Sequence, residues 1–156
     1  MTVSVAHTVS RKLTDKQSAV IRAELASILA SDSFSTSKRC RDFLEFVVER
    51  ALAGDFESLS ERFLGVELFG RPVDYETATD SIVRVRANDV RRRLAQYYSA
   101  QRSTPAGRID LIAGGYVPEF HWRSDDEATA SVEAEGLLAQ AEVHALAPAL
   151  EHQLLR

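Results

Sequence analysis

The chain has 156 residues, of which 45% are hydrophobic, and this supports one folded domain with appendages rather than two separate cores. It has no run of about eighteen apolar residues for a membrane-spanning helix, and no apolar segment follows Arg11 and Lys12 to form a secretory signal. A single cysteine, Cys40, excludes an internal disulfide and a cysteine-based zinc site. We therefore expect a cytoplasmic protein with no membrane partner.

Charge is distributed unevenly along the chain. The whole sequence carries −4, whereas residues 124–156 contain seven acids against Arg156 and carry −6, so residues 1–123 carry +2. Between Arg84 and Arg108, seven arginines stand against one acid, Asp89, which gives this stretch +6. We expect residues 1–12 to be disordered, residues 13–123 to form the domain and residues 124–156 to be an acidic, alanine-rich tail.

The first helix is predicted from Thr14 to about Ala30. Thr14 and Gln17 have the spacing of a capping box, and apolar residues follow at helical intervals. The serine-rich stretch 31–37 that comes next predicts a polar loop.

Two further helices are predicted before residue 71. A broadly apolar segment begins at Cys40 and stops at Gly54, which is typical of a central core helix with a glycine after its end. A second capping-box pattern, Ser58 to Glu61, predicts a shorter helix that Gly70 closes.

A long helix is predicted from Asp80 to about Arg102. At about 100° per residue, one arc of this helix is apolar, and the opposite arc carries arginines and an asparagine. The apolar arc contains Ile82, Val83, Ala87, Val90, Leu94, Tyr97 and Tyr98, and the polar arc contains Arg84, Asn88, Arg91 and Arg92. Such a helix is buried on one side and offers donors to an anionic partner on the other.

The segment from Arg108 to Trp122 predicts a β-hairpin. Ile109 and Leu111 alternate with polar residues, and Gly114 and Gly115 precede an aromatic-rich return strand. The fold class expected from all the elements is mainly α with a small β-hairpin, namely a winged helix-turn-helix with an extra N-terminal helix.

Several motifs resemble the effector domains of OmpR-type response regulators. They are Ser60-Glu-Arg-Phe-Leu64, Leu68-Phe69-Gly70, Asp74-Tyr75, Ile82-Val-Arg-Val85, Val90-Arg-Arg-Arg-Leu94 and Gly114-Gly-Tyr-Val117. The match covers roughly Phe34 to Trp122, and it lacks both the small N-terminal sheet and the receiver domain of that family. A closer resemblance is to bacterial winged-helix modules that often precede tetratricopeptide or propeller-like repeats. The motifs for it are Phe43–Glu49, Leu68–Arg71, Asp80–Val85 and Gly115–Pro118. The resemblance implies transcriptional regulation through double-stranded DNA.

On this interpretation the long helix enters the major groove and the hairpin acts as the wing. Arg84 and Asn88 are expected to read base edges, because guanidinium groups match guanine and asparagine matches adenine. The residues expected to contact phosphates are Arg86, Arg91, Arg92, Arg93 and Arg108. A homodimer or tandem binding is also expected, since one such domain rarely gives high specificity alone.

The same residues also allow other interpretations of the arginine face and of the tail. The arginine face can be a solvated surface, with Asp89 and Arg93 forming an ordinary pair, or it can bind an acidic protein as a signalling adaptor. DNA readout loses its surface if Arg84, Asn88, Arg91 and Arg92 are buried or salt-bridged. The acidic tail is expected to be loosely ordered, or to fold back on the arginine face.

No catalytic, metal or cofactor site is expected. Cys40 is in register with core residues, and the four histidines are scattered without ligand spacing. No nucleophile elbow or other catalytic motif is present, so we expect neither an enzyme nor a small-molecule ligand.

Overall fold

A computed structural model describes residues 13–123, which contain five α-helices, one short 3-10 turn and two strands. The helices are α1 (Asp15–Ala30), α2 (Asp32–Ser35), α3 (Lys38–Leu52), α4 (Glu61–Phe69) and α5 (Ile82–Ala100), and the 3-10 turn spans Glu57–Leu59. Strands β1 (Gly107–Leu111) and β2 (Pro118–Trp122) pair antiparallel. A mainly α chain with a small β-hairpin is thereby confirmed. The expectations for residues 1–12 and 124–156 lie outside the described residues.

Helix α1 begins where the sequence predicts. The Thr14 hydroxyl accepts from the Gln17 amide at 3.1 Å, and the Thr14 amide donates to the Gln17 side chain at 3.0 Å. These reciprocal bonds satisfy two backbone donors that the first turn would otherwise leave without partners. The capping box is therefore confirmed.

The sequence predicts a loop over residues 31–37, but part of this stretch is helical. It forms the four-residue helix α2, in which Phe34 is 0% exposed. Burial of this ring fixes a helical turn that local propensity does not favour, because serines form weak helices. The Ser37 hydroxyl then caps α3 by accepting from the Cys40 amide at 3.3 Å.

The predicted capping box at Ser58 is wrong. The Ser58 hydroxyl donates to the Asp55 carboxylate at 2.6 Å, and the Ser58 amide donates to the same group at 3.3 Å. Asp55 thus holds Ser58 in the 3-10 turn, and Ser60 caps α4 instead by accepting from the Phe63 amide at 3.2 Å.

The core forms where α2, α3, α4 and β1 pack around α5, and α1 packs against α2, α3 and β1. Helix α5 packs against α2, α3, α4 and β1, so it lies at the centre of the fold. The largest fully buried side chains are Phe34, Phe43, Ile21, Ile28, Leu44, Leu64, Ile109, Val47, Val48, Val83, Val90 and Cys40. The side chains in this set that belong to the longer helices lie on the faces that the hydrophobic spacing of those helices predicts to be buried.

Helix α5 begins and ends slightly inside the predicted range. Asp80 caps it, since its carboxylate accepts from the Ile82 amide at 3.1 Å, but the helix itself starts at Ile82 and stops at Ala100. Near its end, the Tyr98 hydroxyl accepts from the Ile109 amide at 2.8 Å and so joins α5 to β1.

The connection from α4 to α5 is fixed by Tyr75. Its hydroxyl donates to the Glu61 carbonyl at 3.0 Å, and the Arg62 guanidinium donates to the carbonyls of Val73 and Tyr75 at 2.7 and 2.9 Å. The ring lies over Gly65 so closely that a Cβ added there would be 2.1 Å from the Tyr75 oxygen. Glycine at 65 is therefore required by space.

We expect Gly65→Ala to destabilise the domain by about 1–3 kcal/mol, since overpacking forces the Tyr75 ring off its site. Alanine's better helix propensity offsets at most about 1 kcal/mol of this. Urea unfolding followed by circular dichroism measures the change. Gly115→Ala is the matched control, because nothing lies within 4 Å of a Cβ built there. Equal stability of the two variants would contradict this packing argument.

Candidate nucleic-acid interface

One face of α5 is left uncovered by the rest of residues 13–123. Val85 is 60% exposed, the Arg92 side chain is 67% exposed, and Asn88 is exposed between them. At about 100° per residue these three share an arc, and Ser81, Ala95, Gln96 and Ser99 extend it along the helix. We call this arc the outward face of α5. It mixes methyl groups with hydrogen-bonding side chains and carries a cation near its middle.

Arg84 lies at the edge of this face and is held by α4. Its guanidinium donates to the Glu61 carboxylate at 2.6 Å and to the Thr77 carbonyl at 2.7 Å. The side chain is 41% exposed and that of Glu61 is 22% exposed. Burial raises the pKa of Tyr116, and the nearby Glu61 carboxylate raises it further. Arg84 therefore ties α5 to α4.

Arg91 connects α5 to the hairpin. Its Nε donates to the Leu111 carbonyl at 3.0 Å, and its Nη2 donates to the carbonyls of Ile112 and Gly115 at 3.2 and 2.8 Å. Its Nη1 donates to Oδ1 of Asn88 at 2.6 Å. All three nitrogens are thus engaged, and the planar fork of an arginine suits such convergent oxygens.

Asp89 holds together the opposite flank of α5. Its carboxylate binds Arg92, lies 3.6 Å from the Arg86 guanidinium and 3.4 Å from that of Arg93, and accepts from the Cys40 thiol at 3.0 Å. The thiol hydrogen bond, followed by the neighbouring guanidinium groups, lowers the pKa of Asp89. Asp89 is the one acid of the arginine-rich stretch, and it is the centre of a cluster rather than half of a single surface pair.

Arg93 and Arg86 are mostly enclosed. The Arg93 side chain is 19% exposed and donates to the Ser33 carbonyl at 2.6 Å and the Thr36 hydroxyl at 3.2 Å, so it fastens α2 to α5. The Arg86 side chain is 27% exposed, and its guanidinium lies 3.8 Å from the Cys40 sulfur. Neither side chain projects from the outward face.

Arg108 lies on the hairpin. Its guanidinium carbon is 4.2 Å from the centroid of the Tyr98 ring, and its Nε donates to the Asp110 carboxylate at 3.0 Å. The side chain remains 48% exposed, so its outer nitrogens can still reach a partner.

The residues chosen from the sequence thus separate into two groups. Asn88 and Arg92 lie on the outward face, and Arg108 lies half-exposed on the hairpin. Arg84, Arg86, Arg91 and Arg93 bind other parts of the fold. The uncovered surface is therefore narrower than the arginine spacing suggests, and only two of the four residues expected on it lie there.

Val85 was missed by the sequence reasoning. It is a valine outside the apolar arc of its own helix, about 200° from Val83, and that angle alone places it away from the core. The helical spacing therefore indicates an exposed position, whereas the residue type, a valine, does not.

Within residues 13–123, no cluster of three histidine, cysteine or acidic side chains is arranged to hold a metal ion. None of the helices in this range has the length and apolar character needed to cross a bilayer. Comparison with protein-family models, with curated proteins and with solved structures gave no match to the chain.

Asp89→Asn removes the charge at the centre of the cluster, and we expect it to lower the free energy of unfolding at pH 7 by about 1–2 kcal/mol. Because folding lowers the pKa of Asp89, its contribution is complete above the ordinary value of about 4 and is lost as pH falls through the folded-state pKa. Urea unfolding at pH 7 and pH 3 therefore gives a smaller difference between variant and wild type at pH 3.

The control is Asp42→Asn, which breaks the exposed Lys38–Asp42 pair at 2.9 Å. Such surface pairs contribute less than about 1 kcal/mol, so this variant should unfold nearly like wild type at both pH values. A difference for Asp89→Asn that stays constant from pH 7 to pH 3 would contradict the role assigned to its charge.

Proposed function

We propose that this chain binds double-stranded DNA as a winged helix-turn-helix protein and regulates transcription. Helices α4 and α5 form the helix-turn-helix, and the β1–β2 hairpin is the wing. The observation that carries this proposal is the outward face of α5, on which Val85, Asn88 and Arg92 lie uncovered on a helix that packs against α2, α3, α4 and β1.

The dimensions of that helix fit the partner. An α-helix with its side chains is about 10–12 Å wide, and the major groove of DNA is about 12 Å wide. Arg92 offers donors to guanine or phosphate, and the Val85 methyl groups suit the methyl group of thymine. Arg108 on the hairpin extends the positive surface beyond the groove, where phosphates lie.

The hydrogen bonds that hold α5 in place favour sequence-specific contacts with DNA over non-specific ones. Arg84 binds α4, Arg91 binds the hairpin, and Arg93 binds α2. These bonds fix the helix on both flanks, so side chains on the outward face keep one position relative to a groove. In this proposal the four arginines that bind other parts of the fold, Arg84, Arg86, Arg91 and Arg93, support the contacting residues and do not themselves read bases.

A protein-interaction adaptor is the second candidate. It is favoured by the number of arginines that already have partners, since Arg84 pairs with Glu61 and three more surround Asp89. An adaptor would use the same outward face for an acidic protein segment.

Binding of a random-sequence duplex at several salt concentrations separates the two candidates. For DNA binding, we expect log K to fall linearly with log salt, by about 0.9 per phosphate contact, and Arg108→Ala to reduce the slope by about 1. At about 10 mM salt the Debye length is about 30 Å, so charges on the protein and the duplex are only weakly screened. If the folded protein binds no duplex even under these conditions, only the adaptor candidate is left.

Arg92→Ala and Arg93→Ala form a matched pair of neighbouring arginines. We expect Arg92→Ala to weaken DNA binding by about tenfold with little change in unfolding, as befits a lost contact of about 1–3 kcal/mol. Arg93→Ala should instead lower the unfolding midpoint and leave the affinity of the folded protein nearly unchanged. Fluorescence anisotropy and urea unfolding measure both properties, and the reverse pattern would contradict the assignment of the outward face.

A further inference from the structure

We infer that Asn88 recognises guanine in duplex DNA, and that Arg91 imposes this choice by fixing the direction of the Asn88 amide. The inference rests on the proposed function and specifies the bases that the outward face of α5 selects. It differs from the expectation that asparagine pairs with adenine.

Chemistry determines which amide atom of Asn88 faces Arg91. A guanidinium group has only donors, so the atom 2.6 Å from Arg91 Nη1 must be the carbonyl oxygen Oδ1. A contact this short between a cation and an oxygen is a charge-assisted hydrogen bond, which is stronger than a neutral one. The amide is therefore held with its oxygen toward the hairpin flank of α5.

The partner of that oxygen cannot easily turn away. Arg91 also donates to three backbone carbonyls of the hairpin, at 2.8 to 3.2 Å. Rotating the guanidinium toward another group would leave those carbonyls without their donor, which costs free energy where they are shielded from water. The hairpin thus holds Arg91, and Arg91 holds Asn88.

The other end of the amide faces outward. Asn88 is exposed, and within residues 13–123 its Nδ2 has no acceptor. Pairing with adenine needs an amide oxygen and an amide nitrogen side by side on the same base edge. With Oδ1 turned to the flank, Asn88 offers hydrogen-bond donors alone to a base.

Among the bases, guanine matches a donor. In the major groove guanine presents two adjacent acceptors, O6 and N7, and no donor. Adenine places its N6 donor beside N7, cytosine presents a donor, and thymine presents the single acceptor O4 beside its methyl group. Arg92 lies four residues further along, about 6 Å at 1.5 Å per residue, and it also carries only donors. The outward face therefore favours duplexes with guanine at the position that Asn88 contacts.

Selection from a randomised duplex library is the test, with wild type, Asn88→Ala and Arg91→Met as baits. We expect wild type to enrich guanine at one position that Asn88→Ala leaves unselected. Replacing that guanine by 7-deazaguanine, which lacks the N7 acceptor, should weaken binding by wild type about tenfold and binding by Asn88→Ala hardly at all.

Arg91→Met tests the positioning step, because it keeps an unbranched, largely apolar side chain at this position but removes the guanidinium donors. Freed of Arg91, Asn88 can turn both amide atoms outward, so adenine should become accepted at the same position. A merely structural loss would weaken binding to every sequence equally. Circular dichroism confirms that each variant is folded before selection.

The results of this selection test guanine recognition by Asn88 separately from DNA binding itself. Enrichment of adenine, thymine or cytosine by wild type at the Asn88-dependent position would overturn the inference and leave DNA binding intact. The same holds if Arg91→Met keeps a strict preference for guanine, or if no position depends on Asn88. Absence of duplex binding by wild type at low salt would overturn the proposed function and the inference together.

Discussion

The attachment of the hairpin to the exposed face of α5 depends on one guanidinium group, that of Arg91. It reaches the Leu111, Ile112 and Gly115 carbonyls of the hairpin and the Asn88 amide on its own helix. A two-stranded hairpin is barely stable by itself, so it needs such attachments to keep a fixed position. Arg91 therefore joins the hairpin to the exposed surface that we propose as the site of binding.

Most of the other arginines between Arg84 and Arg108 are paired with groups of the fold. Three of them surround Asp89, and Arg84 pairs with Glu61 across a helix boundary. Repulsion among the guanidinium groups around Asp89 is offset by its carboxylate, and Arg93 also donates to the Ser33 carbonyl and the Thr36 hydroxyl. The local charge of this stretch thus serves mainly to fasten helices together, and a smaller part of it faces solvent. The same bonds that reduce the uncovered surface also hold what is left in one geometry.

Much of the fold could be predicted from local patterns. The Thr14 capping box, the Gly70 terminus of α4 and the apolar arc of α5 all involve residues a few positions apart, so the sequence contains the whole interaction. Helix α2 was missed because burial of Phe34 is a tertiary effect. The Ser58 cap was wrong because Asp55 competes for the same serine.

The roles of the arginines could not be predicted in this way. Helical spacing tells where a side chain points from its own helix, but not which element lies beside it. Arg84 finds Glu61 at 23 positions away, Arg91 finds Gly115 at 24, and Arg93 finds Ser33 at 60. Such partners emerge only when α4, the hairpin and α2 are placed around α5. The exposure of Asn88 could be predicted, because its direction depends on α5 alone.

Nuclear magnetic resonance offers the most direct measurement of the central claim, that the outward face of α5 is the surface that meets DNA. The isotope-labelled chain would be titrated with a short unlabelled duplex while backbone and side-chain signals are followed. We expect saturable shifts for the Asn88 side-chain amide, the Val85 methyl groups and the Arg92 amide, whereas the signals of Glu45, an exposed residue of α3, should remain unchanged. Shifts confined to other helices, or none at a concentration where the duplex is bound, would contradict this claim.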